Sequence, residues 1–239
     1  MPDSTNSRQT IKAAALKLFS ERDVDDVPVR QILTAAAGHR NISAISYYFT
    51  SKSALIEELL TDGANLVNER LIAGLTALEA RGQAGDLREL ISVMVTSFSM
   101  AGENEESAHY QRFFNRFALR HQHAWRKIVD KSLDSGYRRL LAHIRDILDQ
   151  LPPIVLNQRM LFLLLMIGTC LSLREEAQDI ADPTEIYAAN VWASPLALDN
   201  LVDSAVGILS ADVSRQAKSV LSRSDLSRRE AAPAVSADD

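Results

Sequence analysis

Apolar residues recur at every third or fourth position along almost the whole of this 239-residue chain, and no window shows the sustained alternation that a half-buried strand needs. A period near 3.6 gathers such residues on one face of a helix, so the chain is expected to be all-α. In the first helix Ile11, Ala15, Leu18 and Phe19 share a face, with Ser7 or Thr10 placed to cap it. The run RDVDDVP ends it. A second helix opens near Pro28, turns Val29, Ile32, Leu33 and Ala36 inward and stops at Gly38. A third, over 43–49, is capped by Ser43 and carries Ile45, Tyr48 and Phe49 on one face. The fourth starts at Ser51 and continues through Leu55, Leu59, Leu66, Leu71 and Leu78 to Gly82. At about 30 residues it is long enough to leave one packing unit and enter another.

Further helical patterns cover 86–100, 107–122, 124–150, 153–180 and 195–222, and the stretch 223–239 holds almost no large apolar residue, which predicts a disordered tail. The organisation expected is a head over 1–50, a helical body over 51–222 and that tail. Cys170 is the single cysteine, so there is no internal disulfide framework, and the N-terminus lacks the basic and apolar segments of a secretory signal. A cytoplasmic protein is expected. The longest apolar run, 161–173, is interrupted by Gly168, Thr169, Cys170 and Ser172 and falls short of the ~20 residues a bilayer span needs, so no membrane partner is expected.

A net charge of −5 argues against a protein that coats nucleic acid without specificity and leaves local binding open. The first 60 residues carry seven basic and seven acidic side chains. Three short helices followed by a long one, with a tight turn AGHRN between the second and third, is helix-turn-helix geometry: the third helix enters a major groove while the second braces the backbone.

In the segment AAGHRNISAISYYFTSKSALIEELL the chain resembles the TetR family, whose head ends in an aromatic pair, a Phe and, after a short step, a Lys before an apolar helix; here these are Tyr47, Tyr48, Phe49 and Lys52. The preceding IKAAALKLFSERDVDDVPVRQILTAAAG is similar to that family's first two helices, and the resemblance covers roughly residues 8 to 60. The chain departs from the pattern in four places. Asp23 replaces a usual Gly, and Val27 and Pro28 stand where a capping Thr is common. The turn from Gly38 to Ser43 is one residue longer, and Ser46 replaces an aromatic. The resemblance implies a homodimeric transcriptional repressor that binds a partly palindromic double-stranded DNA operator and is released by a small organic effector. It also implies a dimer formed by the last two helices of each copy. A small-molecule-binding helical protein that has lost DNA binding is the alternative, motivated by the neutral head.

Arg40 and Asn41 suit guanine and adenine edges, Ser43, Ser46 and Tyr47 form the polar face of the third helix, and Ala44 is small enough to approach a thymine methyl. Lys52 has the reach for a phosphate; Arg30 on the bracing helix and Tyr48, otherwise a core residue, complete the expected DNA set. In the body, Tyr110, Phe113, Phe114 and Phe117 form an apolar helical stripe with Arg112, Arg116 and Arg120 opposite, a row read as solvated. With Met94, Phe98, Trp125, Tyr137, Phe162 and Met166 these aromatics are the expected lining of a largely apolar effector cavity. His109, His121 and His123 lack the spacing of a metal site. No phosphate loop, nucleophile elbow or zinc-protease motif is present, so neither a cofactor nor catalysis is expected.

Overall fold

The structure, a computed structural model, describes residues 4–36, 47–99, 109–132, 135–179, 191–192, 194 and 196–230. Among them every regular element is helical. Helix α1 (Ser4–Glu21) places Ile11, Ala15, Leu16 and Phe19 in the core, with Leu18 half-buried. It starts before both Ser7 and Thr10, which therefore sit inside the helix. The extension is held by long-range charge pairing: Arg8 and Lys12 pair with Glu58, Lys12 also reaches Asp62, and the Arg8 guanidinium lies 4.8 Å from the Phe49 ring centroid.

A short 3-10 turn, Val24–Asp26, leads to α2 (Val29–Ala35), which buries Ile32 and Leu33. Pro28 is its N-cap and offers no side-chain bond, while Val27 is fully buried. The helix ends with Ala36 as its cap, before Gly38. Of the third helix only the end, 47–49, lies within the described residues. Thr50 then takes a left-handed backbone, φ 63°, which a β-branched residue adopts only under strain, and reverses the chain into α3 (Lys52–Ala80).

Helix α3 is the long helix expected fourth in order. Ser51 caps it by accepting from the Ala54 amide at 3.0 Å, and its buried leucines continue from Leu55 to Leu78. Around it pack α4 (Leu87–Phe98), α6 (Gln122–Ser132) and α7 (Ser135–Ile147); α5 (Tyr110–Arg120) packs on α1 and on α8 (Pro153–Asp179), and α9 (Leu196–Ser210) lies against α4 and α8. The pattern over 124–150 is thus two helices, α7 opening where Asn68 of α3 takes the Gly136 amide at 2.8 Å. The pattern over 195–222 is also split. Ser214 caps a new helix, α10 (Arg215–Glu230), by accepting from the Ala217 amide at 3.2 Å. That helix runs into the stretch expected to be disordered, and no Gly or Pro interrupts 215–230.

Helix α8 corrects a second expectation. Its apolar character extends on both sides of 161–173, so that Pro153–Ala177, 25 residues, is long and apolar enough by length and composition to cross a membrane. One side of it is nevertheless fixed in the body, with Leu163 and Ile167 fully buried and Glu175 buried beside Arg112. A buried carboxylate answered by an arginine from a neighbouring helix belongs to a protein interior.

Helices α3 and α7 are tied at the surface. Glu79 accepts from Arg139 Nε at 2.7 Å and faces His143 Nε2 at 2.9 Å, and these bonds hold its carboxyl down at about 2, below the ordinary 4.5. A carboxylate depressed in the folded state stabilises it above the unfolded value and loses that contribution as pH falls through the folded one. Thermal melts of Glu79→Gln should therefore show a weaker loss of stability between pH 4.5 and about 2 than the parent shows, with the two proteins differing most near neutral pH.

Candidate functional site

Two regions bear on function, the head and a cavity in the body. In the head, Tyr47 is 78% exposed and stands edge-on to Tyr48 at 4.9 Å, while Tyr48 is half-buried against the core and Phe49 is buried. The aromatic pair is therefore divided, one ring outward and one inward. Arg30 is exposed on α2 and Lys52 is half-buried at the first turn of α3; neither has an ion-pair partner among the described residues. Arg8 and Lys12, by contrast, are consumed by Glu58 and Asp62. Burial acts to raise the Glu58 carboxyl, but the bonds from Arg8 and Lys12 prevail and leave it below its ordinary value. Arg40, Asn41, Ser43, Ala44 and Ser46 lie outside the described residues.

In the body a cavity of about 340 Å³ opens among α3, the end of α4, α5, α6, α7 and α8. Of the expected lining, Phe98, Phe114, Trp125 and Tyr137 are in its wall. The other six are not. Met94 is fully buried core, Met166 is half-buried against the core, and Phe162 is 57% exposed on the outer face of α8. Tyr110 and Phe114 press against α3, where a Cβ on Gly63 would lie 2.2 Å from Phe114 Cζ and 2.9 Å from Tyr110 Cδ1. Phe113 and Phe117 face the head, with Phe113 stacked on Phe19 of α1 at 5.7 Å. The stripe on α5 is thus spent on joints with α1 and α3. The cavity meets the adjacent face, where Gln111, Asn115 and Ala118 follow at i, i+4, i+7. Opposite stand Leu161, Leu164 and Leu165 of α8. A second cavity, about 200 Å³, shares Tyr137, Leu161 and Leu164 with the first and adds Arg145 and Asn157. Burial pushes the Tyr137 phenol up to about 12, so it stays a neutral donor between the two.

The arginine row of α5 is divided: Arg116 and Arg120 are exposed as expected, whereas Arg112 is largely buried, and all three have partners. Arg112 Nε donates to buried Glu175 at 2.9 Å, Arg116 to the Ser20 carbonyl at 3.3 Å, and Arg120 to Asp23 at 3.3 Å. Asp23 also caps the 3-10 turn through the Asp25 amide at 2.9 Å and faces His121 Nε2 at 3.2 Å. The Asp25 amide, then His121 and Arg120, hold the Asp23 carboxyl below its ordinary value against burial. Asp23, Asp25 and His121 bring donor atoms within 4.8 Å of one another, a spacing a cation could use, yet Arg120 already supplies positive charge there.

The sequence pattern described as "Bacterial regulatory proteins, tetR family" matches residues 11–59, and that described as "Tetracyclin repressor-like, C-terminal domain" matches residues 92–186. The chain belongs to the TetR family. It is a DNA-binding transcriptional regulator with a helix-turn-helix head and a helical body. No curated protein is significantly similar in sequence. Among solved structures, a tetR-family transcriptional regulator from Streptomyces coelicolor is similar at 20% identity over 96% of this chain and 100% of that one, with a TM-score of 0.44; the assignment rests on the two sequence patterns.

Within this TetR head, the departure at Asp23 has a physical account. Its φ of −59° needs no glycine, and the carboxylate joins the end of α1 to the end of α5 through Arg120 and His121. Gln111 and Asn115, missed as lining residues, carried one legible sign: two amides four residues apart on the edge of an apolar helical face.

Proposed function

We propose that this regulator is a homodimeric repressor, released from a partly palindromic operator when a small organic molecule fills the α5–α8 cavity. The head would comprise 1–50 and the regulatory and dimerisation body 51–222, in a cytoplasmic protein. The observation that carries the reading is the contact between cavity and long helix. Ala64 and Val67 of α3 line the cavity, and Phe114 of its wall fills the place of a side chain at Gly63. An occupant that moves Phe114 moves α3, and α3 begins at Lys52, directly after the head. Coupling of this kind is worth about 1–3 kcal/mol, or roughly 5-fold to 150-fold in operator affinity, and DNA must weaken effector binding by the same factor.

The DNA side is tested on duplexes selected from a random library by the protein itself. Tyr47→Phe and Lys52→Ala should weaken binding to all duplexes alike, and Lys52→Ala should lower the magnitude of the salt slope by about one per protomer. Arg40→Ala and Asn41→Ala should blur base preference. If all four leave affinity and preference unchanged in folded protein, the head does not read DNA in this way.

A further inference from the structure

The polar atoms of the cavity are unevenly distributed. Gln111 and Asn115 occupy one wall, Gln122 and Arg126 continue it at the mouth, and the facing wall is Leu161, Leu164 and Leu165. Among the described residues no Asp or Glu lines either cavity. Arg126 has no ion pair or hydrogen bond with any described residue, and Arg145 beyond Tyr137 has no ion-pair partner among them. A cationic molecule entering this space meets positive charge and no counter-charge. A molecule with an anionic end meets a planar guanidinium able to take a carboxylate through two parallel bonds.

Resting on the cavity reading above, we propose that the effector is an apolar monocarboxylate, seated with its carboxylate on Arg126 and its hydrocarbon body between Trp125 and the leucines of α8. The Gln111 Nε2 already donates to the Gly168 carbonyl at 3.3 Å, so Asn115 is the amide left to face the body of the ligand, which favours a chain or ring bearing one further polar group. Tyr137 closes the inner end as a neutral hydroxyl.

Three probes of one shape and different charge decide it: decanoate, 1-decanol and decyltrimethylammonium, each titrated below its aggregation limit into the full-length protein. Binding is read by calorimetry and by the emission of the two tryptophans, Trp125 and Trp192. Decanoate should bind about tenfold tighter than decanol, equivalent to about 1.4 kcal/mol, and the ammonium probe weakest. Arg126→Gln should bring decanoate to the level of decanol. Gly168→Leu tests whether the probes enter the cavity. The site of its Cβ meets only Asn115 Oδ1, at 3.4 Å, so a leucine there grows into the void and should abolish binding of all probes. Decanol equal to decanoate, or a preference that survives Arg126→Gln, overturns the carboxylate assignment while leaving the cavity as a ligand site. Absence of binding by all three, or binding that survives Gly168→Leu, overturns the cavity reading and the assignment with it.

Discussion

Glu175→Ala should destabilise the body by about 3–5 kcal/mol, the range for breaking a buried ion pair from one side. The side chains of Glu175 and Arg112 are only 6% and 12% exposed. Glu175 accepts from the amides of Gln111 at 3.2 Å and Arg112 at 3.3 Å, and from Arg112 Nε at 2.9 Å. Helix α5 needs those bonds because its own N-cap, His109, sits in the left-handed region at φ 75° and provides no side-chain cap. A carboxylate from α8 therefore ends the helix and answers its dipole. Burial pushes the Glu175 carboxyl up although Arg112 opposes it, so the pair is expensive to bury and more expensive to break. Urea unfolding at fixed protein concentration reads the change. Arg112→Ala should show a comparable loss, and the double variant less than the sum of the two. A loss below about 1 kcal/mol in Glu175→Ala, the scale of one ordinary hydrogen bond, would show that water replaces the carboxylate as the cap of α5.

The second large effect is expected at Phe162. This residue, Ile154 and Leu173 are exposed on α8 outside the cavity wall, and their spacing puts them along one side of the helix. An exposed apolar stripe of this kind marks a surface that meets another molecule. The proposed homodimer, if paired two-fold through α8 and α9, would cover it with the same surface from the partner. Phe162→Asp leaves the interior of the single chain untouched and places a charge against its own symmetry mate. It should give folded monomers by sedimentation and, because two heads on one duplex act at high effective concentration, lower operator affinity by about 10²–10⁴-fold. Binding to an isolated half-site should hardly change. If the variant stays dimeric with full operator affinity, the dimer forms elsewhere.

The helices were legible wherever a helix hides one stripe. The run from Leu55 to Leu78 shows its length in its own spacing, and the patterns expected to start at Ser51 and at 86 begin on the residues that cap their helices, Ser51 and Asp86. What could not be read depends on partners far along the chain. Helix α1 reaches back to Ser4 because Arg8 finds Glu58, fifty positions away. The aromatics of α5 were legible as buried, but whether a buried ring borders a void depends on what the opposite helix fails to fill. So Phe113 and Phe117 belong to the joint with α1, while Asn115 and Ala118, with no large apolar group to mark them, stand in the cavity wall. For the DNA set, the division of Tyr47 from Tyr48 follows from Phe49 and Tyr48 packing on the core, which leaves Tyr47 outward.

The close approach at Gly63 binds two distant positions into one unit of descent. Because the ring of Phe114 occupies the space of a side chain at 63, no lineage can gain even an alanine there while keeping that ring in place. A larger residue at 63 requires the Phe114 ring to shift or a smaller residue to take its place, and either change alters the cavity wall at the same moment. The molecule that such a regulator senses and the thickness of its long helix therefore change together over evolutionary time, and a shift in specificity can begin with a substitution that never touches the ligand.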